Sequence, residues 1–217
     1  MKSHQHVILI HGLARTSRSF NKMAKCLKMN NYAVTNINYT SRKFSIETLT
    51  EQHLSNAIAH CQANGAQRIH FVTHSMGAIL VRYYLRHHTL PELGHVVMLS
   101  PPNKGSEIVD RLGKLKLFEF INGPAGQQLG TSPHSLPNQL GSVNYSVGII
   151  TGNRTINFIL SLLIPGENDG KVSIERAKVT GMSDLFVVPH THPMILRSQT
   201  VIRQTLHFLN NGKFLIS

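Results

Sequence analysis

The chain has 217 residues, 41% of them hydrophobic, and its 22 Lys and Arg against 10 Asp and Glu give a formal net charge of +12. That length fits one domain spanning 1–217 with a real core, no stretch reaches the ~18 apolar residues of a membrane span, and two cysteines, Cys26 and Cys61, make no disulfide framework and read as small buried hydrophobes. The basic residues are spread along the chain and alternate with apolar ones in 22–28 and 111–116, which reads as a solvated basic face and excludes a nucleic-acid module, while leaving room for peripheral contact with an anionic membrane or partner.

The N-terminus enters a strand directly, without the apolar core of a signal peptide, so the expected compartment is cytoplasmic. The run His6–Ile10 is continuously apolar, as in a strand buried on both faces of a parallel sheet. It ends in His11-Gly12-Leu13, where Gly12 lets the backbone turn and the N–H of Leu13 can point beyond the strand end. An amphipathic helix follows, with Phe20, Met23, Ala24 and Leu27 on one face and Ser17 or Ser19 as a cap. A second strand is predicted over Tyr32–Tyr39. The next helix turns Ile46, Leu49, Leu54, Ala57, Ile58 and Cys61 inward and stops at Asn64-Gly65.

The strand through Ile69–Thr73 ends at His74-Ser75-Met76-Gly77, and a helical pattern begins at once with Ile79, Leu80 and Tyr83. Strand, tight corner and helix are the setting in which a G-x-S-x-G-like pattern becomes a nucleophile elbow. Such a corner strains Ser75, lifts its hydroxyl above the sheet and aims the N–H of Met76 at any oxyanion formed there. Gly77 meets the need for a small neighbour; Thr73 stands where glycine is usual.

A further strand, His95–Ser100, is closed by Pro101-Pro102-Asn103-Lys104-Gly105-Ser106, and Ser106 is placed to cap the helix after it. From about 111 to 140 the pattern weakens, which predicts an irregular, cap-like segment over the site, with Phe118 and Phe120 lining an acyl pocket. Tyr145–Gly152 is a strand. Asn157–Ile164 is a buried helix or a greasy rim for lipid. Leu185–Pro189 is the last strand and Val201–Leu209 the closing helix, ending at Asn211-Gly212. Strands alternating with helices at this spacing imply an α/β fold with a parallel, doubly wound sheet.

Sites in open α/β sheets form beyond the carboxyl ends of strands. Leu13, Ser75, Asp169 and His192 all follow strands; Asp184 precedes one, and Asp110 comes too early. Glu167 is the second candidate acid. His190 and His192 both follow the last strand, and periodicity does not separate them. No H-E-x-x-H or comparable metal-ligand spacing occurs, and no metal or cofactor is expected.

Taken together, His11-Gly12-Leu13, Phe71–Gly77, Ser100–Ser106, Gly123–Gly130, Pro165–Ser173 and the segment from His192 through Thr205–Leu209 cover nearly the whole chain in order. In this combination the chain resembles small bacterial serine hydrolases of the lipase/esterase type in the α/β-hydrolase superfamily. The resemblance implies a minimal α/β-hydrolase fold of about six mostly parallel strands with helices on both faces. It implies carboxylester hydrolysis by a Ser75-His192-Asp169 triad through an acyl-enzyme, with the amides of Leu13 and Met76 as oxyanion hole. It places the base at His192, because Met194 and Arg197 follow it. Gly12, His74, Phe118 and Phe120 would line a small-molecule or lipid ester substrate. The same triad would serve an acyltransferase, thioesterase or amidase; a non-catalytic scaffold would not require all three residues.

Overall fold

The computed structural model describes residues 4–113, 116–155 and 161–215; the side chains of 116–119 and 121 lie outside that description. The predicted strands form one sheet: β1 (Gln5–Ile10), β2 (Ala33–Ile37), β3 (Arg68–His74), β4 (Leu93–Leu99), β5 (Val147–Gly152) and β6 (Asp184–Val188). Their order is β2-β1-β3-β4-β5-β6, and every neighbouring pair is parallel. This is a minimal α/β-hydrolase arrangement. All six carboxyl ends therefore lie along one edge, and the order switches direction between β1 and β3, where a doubly wound sheet opens a crevice.

The apolar runs make both faces core. Ile8, Ile10, Ile69, Phe71, Val96 and Met98 face one layer; Val7, Leu9, Val72, Val97 and Leu99 face the other. That alternation is the period of two of a strand, with neither side left to water. The first layer is covered by α2 (Ile46–Leu49), α3 (Ser55–Ala63) and α4 (Gly77–His87), the second by α1 (Asn21–Met29) and α9 (Gln199–Asn211). Between α2 and α3 the chain makes a π-helical turn, Thr50–Leu54. The wider turn accounts for the five-residue step from Leu49 to Leu54 in the apolar pattern, since both are fully buried.

Within 111–140 the structure departs from the irregular stretch predicted. Helices α5 (Glu107–Leu112), α6 (Lys116–Gln127) and α7 (Leu136–Gln139) cross it. Gly123-Pro124 reads as a breaker, and Gly123 does adopt φ 64°, ψ −171°. Proline is favourable in the first turn of a new helix, so Lys116–Gln127 is two helical pieces meeting at a break at Gly123 rather than one continuous helix. The remaining short helix is α8 (Ile174–Ala177). Ser106 stands at the N-cap of α5 but makes no cap bond; its hydroxyl instead donates to the Lys171 carbonyl at 2.9 Å. The segment 157–160 of the predicted apolar run lies outside the described residues; beyond it Leu162 is exposed and Ile164 buried. Among the described residues no helix is long and apolar enough to cross a membrane.

Candidate active site

Four loops leave the carboxyl edge and meet above β3. The elbow is the tightest. Ser75 has φ 53°, the left-handed region that costs a non-glycine residue of order 1–3 kcal/mol. It is held there by its N–H donating to the Leu99 carbonyl at 2.9 Å and by its own carbonyl accepting from Ala78 N at 3.0 Å. Strand and helix nearly touch: a Cβ on Gly77 would lie 2.5 Å from the Ile10 carbonyl oxygen. Residue 77 can carry no side chain while β1 keeps its place.

The loop after β1 is equally close. A Cβ on Gly12 would sit 2.9 Å from the Ser75 Cβ, so the glycine lets the loop after β1 press against the nucleophile candidate. Beneath it, the Tyr39 ring stacks on the buried His11 imidazole with centroids 4.1 Å apart, and the Tyr39 hydroxyl donates to the His11 carbonyl. His11 Nε2 accepts from the Tyr39 N–H at 3.3 Å, so Nδ1 carries the proton toward the Gly12 carbonyl, 2.9 Å away. Burial lowers the pKa of His11 and keeps the ring neutral. The N–H groups of Leu13 and Met76 donate to no other described residue.

Asp169 follows β5 in a turn braced by its own backbone. Its Oδ1 accepts from Lys171 N at 3.0 Å and Val172 N at 2.9 Å. Its Oδ2 meets His192 Nδ1 at 2.8 Å, and its carbonyl accepts from His192 N at 2.9 Å. Asp169 is 1% exposed and His192 3%. Burial alone would raise the Asp169 pKa, but the His192 imidazole and the amide bonds outweigh it, and the net direction is down. The carboxylate is thus a buried anion facing one imidazole.

Of the two competing histidines, His192 is the one that meets Asp169. His190 turns its Nε2 to the hydroxyl of Ser198, the N-cap of α9, at 2.8 Å. Glu167 is exposed. Asp110 is occupied with Thr131, and Asp184 accepts from Leu185 N and Phe214 N at the opposite end of the sheet.

Two expectations need correction. His74 does not line the substrate space: it is 1% exposed and directs Nε2 at the His192 carbonyl, 3.0 Å away, because as the last residue of β3 it points into the layer below the base loop. Phe120 is 84% exposed, on the solvent side of α6, and encloses no pocket. The side chain of Phe118 lies outside the described residues.

The sequence reading did not single out Arg82. It is buried on α4 and donates to the carbonyls of Asn103 at 2.8 Å and Gly141 at 2.6 Å, locking the helix behind the elbow to the loop after β4 and to the segment that leads into β5. Its position on an apolar helix face was the available signal.

The family model described as "alpha/beta hydrolase fold" matches residues 5–126. The chain belongs to the α/β hydrolase fold family. No curated protein sequence matches the chain. Among solved structures, this α/β hydrolase is similar to the mature form of the Bacillus licheniformis lipase BlEst2, at 18% identity and TM-score 0.76 over 98% of this chain and 93% of that one. It is also similar to Aspergillus fumigatus lipase B, at 13% identity and TM-score 0.70 over 95% of this chain and 52% of that one. The metagenomic carboxyl esterase MGS0156 matches at 18% identity and TM-score 0.65, over 90% of this chain and 66% of that one. At such identities the likeness is one of fold.

Proposed function

We propose that the chain is a serine hydrolase acting on carboxylic esters, with Ser75 as nucleophile, His192 as base and Asp169 as the acid that orients it. The observation that carries this reading is the buried Asp169–His192 pair, 2.8 Å apart, on the same sheet edge as a serine held at φ 53°. A buried carboxylate bonded to one nitrogen of an imidazole fixes the tautomer, leaving the other nitrogen free to accept a proton.

In this mechanism Ser75 Oγ attacks the ester carbonyl while its proton passes to His192 Nε2. The tetrahedral oxyanion takes hydrogen bonds from the free amides of Leu13 and Met76; one such donor is typically worth ~10²–10³ in rate. The imidazolium then protonates the leaving alcohol, and an acyl-serine remains. Water gives its proton to His192, attacks the acyl carbon, and the second collapse returns the proton to Ser75 and releases the acid. The Ser75 hydroxyl makes no hydrogen bond to another described residue, in keeping with the long nucleophile–base contacts common before substrate binds.

An active-site-directed fluorophosphonate followed by peptide mapping tests the assignment without knowledge of the natural ester. The expected result is one label on Ser75, abolished by Ser75→Ala along with p-nitrophenyl ester turnover. A label elsewhere, or turnover retained in that variant, overturns it.

A further inference from the structure

Arg82 is a buried charge without a countercharge. It is 3% exposed, and its bonds run to neutral oxygens: Nη1 to the carbonyl of Asn103 at 2.8 Å and its side-chain oxygen at 3.3 Å, Nη2 to the carbonyl of Gly141 at 2.6 Å. Its Nε is buried and finds no acceptor. The ion pairs among the described residues engage His88, Arg176, Lys178 and His192 instead. Burial lowers the Arg82 pKa to about 10, which still leaves the guanidinium protonated at neutral pH. Buried charges are normally paired, because neutral partners offset only part of the cost of leaving water.

Beside Arg82 lies a cavity of about 290 Å³, between α4 and the segment that leads into β5. Arg86 lines it as a second cation, one turn further along α4 and on the same face. Ser142, Asn144 and Tyr145 line it from the other side, and no acidic residue does. The Tyr145 hydroxyl is buried and, like the Arg82 Nε, has no hydrogen-bond partner. Ser75, Asp169 and His192 do not border this space. Water could satisfy the orphaned donors, but it would bring no charge to set against two arginines.

We propose that this cavity is a second binding site, taking a phosphate-sized anion between Arg82 and Arg86. The two guanidinium groups offer planar forks suited to bidentate contact with a phosphate, and Ser142, Asn144 and Tyr145 supply neutral donors. The volume lies below the ~300–1,000 Å³ of pockets for drug-sized ligands, which suits inorganic phosphate or a small phosphate monoester. The site stands apart from the hydrolase reading and does not need Ser75.

Calorimetric titration of inorganic phosphate into the protein, at constant ionic strength in chloride buffer, tests it. The expected result is saturable binding, with a melting temperature that rises with occupancy. Arg86→Gln should weaken binding about two- to fivefold, the scale of an exposed charge. Arg82→Lys keeps the charge but loses the fork, and should weaken it about tenfold. Because Arg82 also holds the loop after β4, a variant that leaves it in place carries equal weight: Asn144→Asp puts a carboxylate on the cavity wall, and should raise the melting temperature without phosphate while abolishing phosphate binding. No saturable binding, a melting temperature raised equally by chloride, or an affinity unmoved by both Arg86→Gln and Asn144→Asp overturns the site. Glycerol 3-phosphate assigns the source: tighter binding than the inorganic ion supports an organic phosphate as ligand, and weaker binding supports the free ion.

Discussion

His74 directs its Nε2 at the carbonyl oxygen of His192, 3.0 Å away, so the side chain next to the candidate nucleophile holds the main chain of the candidate base. The ring is wholly enclosed. Burial, and after it the neighbouring His192, push its pKa well below 6.5. A neutral ring facing a carbonyl must carry its proton on Nε2, which makes His74 a fixed strut between β3 and the loop after β6.

Removing that strut should misplace the base rather than abolish it. For His74→Leu, kcat for p-nitrophenyl butyrate is expected to fall about 10- to 100-fold, the scale of a small displacement of a reacting group, with KM changing little. His74→Gln, which keeps a donor, should recover part of the loss. Equal effects of both substitutions on kcat and KM would count against a positioning role.

Asp169→Asn removes the charge while the amides of Lys171 and Val172 still find an acceptor oxygen. An amide facing His192 Nδ1 offers the wrong tautomer, and kcat should drop by about 10⁴. Steady-state kinetics combined with a thermal melt separates this from unfolding. A loss below tenfold would return the acid's role to Glu167.

Ser75 stores backbone strain that glycine would not. Ser75→Gly should abolish turnover yet stabilise the fold by about 1 kcal/mol, seen as a melting temperature higher by roughly 2–4 °C in a chain of this size. A lower melting temperature would mean that the corner is held by contacts of the hydroxyl.

Much of this architecture was legible because β1, β3 and β4 are short apolar runs that alternate with amphipathic helical stretches, the pattern of strands covered on both faces of a parallel sheet. The elbow was legible for a related reason: an apolar strand passing straight into a helix through Ser75 and Gly77 leaves one conformation open. The choice of His192 over His190 was not legible from periodicity, since two residues apart on a loop they differ only in which way the chain turns. His74 misled because its burial depends on where the base loop lies, a contact made across 118 positions of sequence.

The histidines at the amino end of the sheet should make stability pH-dependent. His70 is 1% exposed, accepts from His95 N at 2.9 Å and has its pKa lowered to about 4, by burial first and then by His95 and Arg68. Above pH 6.5 the ring is neutral in both folded and unfolded chains. Between 6.5 and about 4 only the unfolded chain takes up the proton, so stability falls as pH drops through that window, by roughly 3 kcal/mol at full extent. Urea midpoints at pH 7 and pH 4.5 check this. His70→Gln should be less stable at pH 7 but show a shallower decline, and an unchanged decline would assign the effect to other groups.

Asp169 and His192 share a second link that involves no side chain: the His192 N–H donates to the Asp169 carbonyl at 2.9 Å. The segments after β5 and after β6 are therefore one mechanical piece, coupled even when the carboxylate is substituted. A chimera that imports either segment from a distant homologue would have to import 165–173 and 189–193 together, as a matched cassette, or bring the two functional groups out of register.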